Sequence, residues 1–250
     1  MSDIRADLVE EGKRLLALAH AQNITFALLG GVAVRLRAPE VPASLDREYK
    51  DLDFAVPTGR SGSAGKLLLD AGYEAHTVFN AMNSKERMLF FDNEHGRQVD
   101  VFVGSFRMCH EIPLSDRLVP GADTVPLAEL LLTKLQIIEL NEKDIRDTVL
   151  LLLGHEIADH DDGDAVNGER IAQLCARDWG LWRTITGNLR NTTTQVGQYE
   201  LPAEQSDRVV KRLNELLSRI DAAPKSRVWR LRDKIGERKR WYELPEEVQR

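Results

Sequence analysis

"YKDLDFAV", residues 49–56, places two carboxylates, Asp51 and Asp53, in a run otherwise built like a strand. On a strand, residues i and i+2 point to the same face, so the two side chains converge. Like charges so placed repel unless something positive lies between them, and a divalent cation is the simplest candidate. Upstream, "FALLGGVAVRLR" (26–37) continues a buried strand predicted over 24–29, which Gly30 and Gly31 stop with a tight turn into a short helix. With no Cβ, a Gly-Gly turn at a helix N-terminus lets backbone N–H groups approach an anion, and the helix dipole favours negative charge there. A phosphate cradle and a cation site would thus be brought together.

A third carboxylate, Asp100, stands inside "RQVDVFVG" (97–104). Alternation puts Val99, Val101 and Val103 on one face of this strand and Asp100 with Phe102 on the other. A strand Asp among valines is costly unless it is paired or bound to a metal. If this strand lies beside the "DLDF" strand, the three aspartates form one acidic cluster. Mg²⁺ takes oxygen ligands from few carboxylates plus substrate phosphates. Two such ions, about 3.5–4 Å apart, would hold the attacking and leaving oxygens of a phosphoryl transfer in line.

Around this centre the pattern predicts an opening amphipathic helix over 4–22, a polar loop over 38–49, a helix over 63–71, and strands over 73–79, 87–92 and 98–103. From Pro126 the character turns helical, with a break near Asn141, a good N-cap. The break matters because Lys134 and Lys143 would stand about 900° apart, on opposite sides, along one unbroken helix. With the break, both could serve one site, and Lys143 gains Asp147 at i+4 as a pair. The fold class expected is α/β (α+β): a mixed twisted sheet with flanking helices over residues 1–120, followed by a helical region over 121–250.

The chain has 250 residues, 42% of them hydrophobic, enough to bury a core, and a net charge of −6 that gives no overall bias toward nucleic acid or membrane. One segment departs from this. "KSRVWRLRDKIGERKR" (225–240) carries +6 against −12 for the rest, with Trp229 inside it and Trp241 beside it. It could hold RNA, or pack its tryptophan on the core and pair its bases with the acidic body. Cys109 and Cys175 match no metal spacing and read as free thiols of a reducing cytoplasm. The first residues lack a signal peptide's basic start, and no apolar run of about 18 residues predicts a membrane span. "HEIADHDDGD" (155–164) contains a His160-Asp161 pair reminiscent of metal phosphohydrolases, but with only His155 close by it reads as a solvated acidic loop.

The order Gly30-Gly31, Asp51-Leu52-Asp53, Asp100 resembles the DNA polymerase β-like nucleotidyltransferase superfamily. Lys134, followed by Lys143-Asp144-Ile145-Arg146-Asp147, looks like the later motifs of its AbiEii-type toxin members, to which the MenT toxins belong. Together these motifs span about residues 24 to 150. The loop between Gly31 and Asp51 is longer than usual, and Lys50 stands where a small hydroxyl residue or Arg often precedes the first acid. The resemblance implies that Asp51 and Asp53 bind Mg²⁺, with Mn²⁺ as the alternative, and that Asp100 helps hold a second ion and acts as general base. It implies that the Gly30-Gly31 turn holds the β- and γ-phosphates of an NTP. Arg35, Lys50, Lys134, Lys143, Asp144 and Asp147 would complete the nucleotide site. NMP would pass to an acceptor hydroxyl, a tRNA 3′ end or another cellular acceptor, with release of pyrophosphate. A small antibiotic-type molecule and a protein hydroxyl are alternative acceptors, and an antitoxin is an implied protein partner. The rival of a different class is a non-catalytic nucleotide-sensing or partner-binding module.

Overall fold

The computed structural model describes residues 4–244, which divide into two compact units. Within these residues the first comprises positions 4–37, Arg47–Arg107 and Ile112–Pro126; the second comprises Ala38–Asp46, Met108–Glu111 and positions 127–244.

In the first unit, helix α1 (Leu8–Ala21) starts where the Asp7 side chain accepts the Glu10 N–H at 2.8 Å, and it buries Leu15, Leu16 and Ala19. Strand β1 (Ala27–Leu29) leads into α2 (Gly30–Arg37), then β2 (Asp51–Val56), α3 (Ser61–Asp70), β3 (Glu74–Ala75), α4 (Thr77–Asn83), β4 (Arg87–Asp92) and β5 (Arg97–Val103). The five strands form one mixed sheet in the order β1-β2-β5-β4-β3, with β2 and β5 parallel and the other pairs antiparallel. Phe26 stacks on Phe54 with ring centroids 4.1 Å apart, and Val99, Val101 and Phe102 bury both faces of central β5. The free edge of β1 is covered by a distant segment of the chain: Leu28 N donates to Asp123 O, and Val125 N donates to Leu28 O, each at 2.9 Å.

The strand predicted over 73–79 is corrected. Only Glu74–Ala75 pairs with β4, and Thr77–Asn83 is helical, started by His76, whose Nδ1 accepts the Phe79 N–H at 3.3 Å. The run of Thr77, Val78 and Phe79 reads as strand because β-branched and aromatic residues favour one. Here the local cap prevails, and Val78 and Met82 stay exposed.

The hairpin β4–β5 is closed by an ion pair. Arg97 donates through Nε and Nη2 to Asp92 Oδ2 at 2.8 and 2.6 Å, with both side chains buried. Burial pushes the Asp92 carboxyl up, but hydrogen bonds from Arg97 and His95 outweigh it and leave the group below its usual value. A carboxyl lowered in the folded state contributes stability that is complete above its unfolded pKa, near 3.8, and is lost as pH falls toward the folded value. The midpoint of urea unfolding should therefore hold between about pH 7 and pH 5 and drop below about pH 4. Asp92→Asn should make that drop shallower; an equally steep drop in the variant would assign the acid sensitivity elsewhere.

The second unit is helical: α5 (Leu127–Leu135), α6 (Glu142–Gly154), α7 (Gly168–Arg177), α8 (Trp179–Gln195), α9 (Ala203–Ala222) and α10 (Arg227–Asp233). The predicted break at Asn141 is present, with the Asn141 side chain accepting the Asp144 N–H at 3.1 Å. What holds the break open is Asn188 on α8. Its Nδ2 donates to the carbonyls of Leu135 (2.7 Å) and Ile137 (2.6 Å), satisfying acceptors that a continuing helix would have used. On α9, Val209, Leu213, Leu216 and Ile220, spaced three or four residues apart, form one buried stripe. Among the described residues no helix is long and apolar enough to cross a membrane. Cys109 and Cys175 are buried and free.

Candidate active site

The first unit assembles its site where β1 ends. Gly30 takes φ +73°, a left-handed backbone that only glycine adopts without strain, and this turns the chain directly from β1 into α2. Leu29 is the register partner of Asp53 on β2, so the turn begins beside that carboxylate. A Cβ built on Gly30 would collide with Asp53 Oδ2, and one built on Gly31 would collide with the guanidinium of Arg47. The two bare α-carbons are thus flanked by an anion and a cation. Arg47 lies over the Tyr49 ring, 4.5 Å from its centroid, and donates to Glu48 O at 3.1 Å.

Strand register brings in the third carboxylate. In the parallel pair β2–β5, Asp53 is matched with Asp100 and Asp51 with Gln98, so all four side chains share one face. Burial deepens along the row: Asp51 is exposed, Asp53 half-buried, and Asp100 is 4% exposed.

Two neighbours of Asp100 were not found from the sequence. Arg87 on β4 places Nε and Nη2 each 2.6 Å from Asp100 Oδ1, and Gln98 Nε2 donates to Asp100 Oδ2 at 2.7 Å. Arg87 is further held over the Phe102 ring, 5.2 Å from its centroid. The signal was present in the hairpin register, which pairs Arg87 with Phe102 and Leu89 with Asp100. That makes Arg87 and Asp100 diagonal neighbours on one face.

This pairing takes up part of the coordinating capacity of Asp100. Asp51, Asp53 and Asp100 line up as predicted. However, among the described residues no group of three or more His, Cys, Asp or Glu gathers closely enough to hold a metal ion. Asp100 is drawn to Arg87 and Gln98, while Asp51 sits at the exposed end of the row. Asp51 and Asp53 carry oxygen donors of the kind a hard divalent ion takes, and the Asp53 carboxylate occupies the room that a Cβ on Gly30 would fill.

Of the other predicted residues, Arg35 is half-buried in the last turn of α2 and Lys50 is exposed immediately before β2. Lys134, Lys143, Asp144 and Asp147 belong to the second unit. There Lys134 Nζ lies 2.8 Å from Asp147 Oδ2 and 3.6 Å from Asp144 Oδ1, so the cap at Asn141 delivers two carboxylates of α6 to one lysine of α5. Asp147 therefore turns to Lys134 where the i+4 rule had offered Lys143, which is exposed.

In the basic segment, Trp229 is buried and meets Trp182 edge-on at 5.0 Å, while Asp233 accepts from Trp179 Nε1 at 2.7 Å. The tryptophan packs on its own unit, as one of the two sequence readings had it. Arg227, Arg230, Lys234, Arg238, Lys239 and Arg240 remain exposed. In the acidic loop, Asp159 to Gly163 are exposed and His160 pairs with Asp159 at 2.9 Å.

Gly30→Ala would combine backbone strain with a collision against a short, fixed side chain. It should cost about 1–3 kcal/mol and lower Tm by several degrees. A Tm within about 1 °C of the parent corresponds, for a chain of this size, to a loss below about 0.5 kcal/mol. That result would contradict the close fit of Gly30 to Asp53.

Three solved structures are distantly similar. The antibiotic-resistance factor ANT(2″)-Ia, in a solution structure, is 15% identical over 57% of this chain and 80% of its own, with a TM-score of 0.39. The same factor in complex with adenylyl-2″-tobramycin is 15% identical over 57% and 86%, with a TM-score of 0.39. The lincosamide antibiotic adenylyltransferase LnuA, with lincomycin bound, is 20% identical over 56% and 94%, with a TM-score of 0.40. No curated protein matches the chain by sequence. Residues 5–169 match a family described as uncharacterised nucleotidyltransferase, a span that runs from α1 through the Gly-Gly turn, the three aspartates and α6. The chain therefore belongs to that family and is a nucleotidyltransferase.

Proposed function

We propose that the protein transfers NMP from an NTP to an acceptor hydroxyl at the row formed by Asp51, Asp53 and Asp100. The observation that carries this reading is the position of Asp53, set between the Gly30 turn and its register partner Asp100. The bare Gly30-Gly31 backbone at the start of α2, with Arg47 against Gly31, suits the β- and γ-phosphates. Asp51 and Asp53 would hold Mg²⁺ or Mn²⁺, which when bound supplies charge neutralisation and Lewis acidity at the phosphates. The acceptor oxygen forms a bond to the α-phosphorus as the bond from that phosphorus to the bridging β-phosphate oxygen breaks. Pyrophosphate leaves, and the hydroxyl proton passes to Asp100. Arg35 and Lys50 would add positive charge for the phosphates.

Within the superfamily the reading favours the AbiEii type. The support is Lys134 and the 143–147 block, joined as an ion cluster by the helix break. Lys134 and Lys143, with Asp144 and Asp147 as orienting carboxylates, are assigned to the nucleotide.

For the acceptor, the six exposed cations between Arg227 and Arg240 favour RNA, and a tRNA 3′ end supplies the hydroxyl. Because Trp229 is buried, the contact is to phosphates rather than by base stacking. Incubation with labelled NTP and either total tRNA or small aminoglycoside and lincosamide acceptors tests this. Label should enter tRNA, and Arg227→Glu/Arg230→Glu/Lys234→Glu should raise the KM for tRNA by about tenfold or more while leaving the KM for NTP unchanged. Label entering only a small molecule, or a triple variant with the parent's KM for tRNA, would overturn the RNA assignment.

A further inference from the structure

We infer that Arg87 occupies the place of a second cation, so that this site takes one divalent ion and not two. The inference rests on the nucleotide-site reading given above and concerns what surrounds Asp100. An ionised carboxylate has about four lone-pair positions. On Asp100 Oδ1, two are taken by Arg87 Nε and Nη2, both at 2.6 Å; on Oδ2, one is taken by Gln98 Nε2 at 2.7 Å. One position remains. It can receive the acceptor's hydroxyl proton or bind a metal, but not both.

Charge leads to the same assignment. Asp53 and Asp100 are register partners in adjacent parallel strands, and two carboxylates so placed need a positive charge between or beside them. A second metal ion would supply it. In this chain a guanidinium already does, and it is fixed on its far side by the Phe102 ring. Arg87 is only partly exposed, with 23% of its side-chain surface accessible, and Asp100 has 5%, so water screens the pair weakly. A metal ion entering beside Asp100 would also meet the Arg87 charge at contact distance. Arg87 is thus a positioning residue: it holds Asp100 with its remaining lone pair available and neutralises the charge that a second ion would otherwise neutralise.

The test counts ions rather than turnover. Mn²⁺ is titrated into the full-length protein, with free Mn²⁺ read by electron paramagnetic resonance, for the parent, Arg87→Met, Arg87→Lys and Asp51→Asn/Asp53→Asn. The expected counts are one ion per chain in the parent, one in Arg87→Lys, which keeps the charge, and two in Arg87→Met. The Asp51→Asn/Asp53→Asn variant should bind none. Two ions on the parent would overturn the inference directly, and this count stands even if Arg87→Met does not fold. An unchanged single ion in a folded Arg87→Met would also overturn it, because the guanidinium would not then be what excludes the second. No ion on the parent would instead remove the nucleotide-site reading, and the inference with it.

Discussion

Asp53→Asn is expected to lower nucleotidyl transfer by about 10³-fold while leaving the protein folded. The substitution keeps the shape of the side chain against Gly30 and removes the charge that a cation and the phosphates would feel. Asp53 is half-buried, and asparagine matches its size, so the change in stability should be small, with Tm within about 3 °C of the parent. Asp51→Asn, one step further toward solvent, should be weaker in effect than Asp53→Asn. Equal activity in Asp53→Asn and the parent would remove this strand end as the reaction centre.

Asp147→Ala carries the largest expected effect on stability. Asp147 is 1% exposed and lies 2.8 Å from Lys134 Nζ, so its removal leaves a buried ammonium facing the more distant carboxylate of Asp144. Breaking a buried pair from one side costs about 3–5 kcal/mol, and Asp144 places this case at the lower end. For a chain of this size that is a fall in Tm of about 6–12 °C. Lys134→Met/Asp147→Leu should recover most of it, because a well-packed apolar pair avoids the desolvation of two charges. Calorimetry on the two variants decides the matter: a loss below about 1 kcal/mol in Asp147→Ala would mean that solvent screens the pair.

The parts of the site legible in the sequence are those written in local pattern. Gly30-Gly31 after an apolar run, two acids at i and i+2, and a lone acid in an alternating strand each signal through a few neighbouring residues. The register then places Asp53 opposite Asp100, as the order of motifs implied. The helix break at Asn141 was legible for the same reason, since a cap acts on its own turn. What holds the break open was not: Asn188 comes from a later helix, α8, and has no local signature. Arg87 was missed because its role depends on the β4–β5 register and on a diagonal contact across it. Without that contact, three aspartates on one face read as a metal cluster. Arg47 lies in a loop with no periodicity, and its approach to Gly31 is a matter of tertiary placement. The strand predicted over 73–79 failed where composition favoured β structure but His76 capped a helix.

The most direct test of the account is transfer itself. Purified protein is incubated with Mg²⁺ and each of the four α-³²P-labelled NTPs in the presence of total tRNA or cell extract, beside Asp51→Ala/Asp53→Ala. The account expects label to pass from at least one NTP to an acceptor, with pyrophosphate released, and none to pass with the double variant. Label transferred equally by the double variant, or nucleotide bound by the parent with no transfer from any of the four, would contradict it.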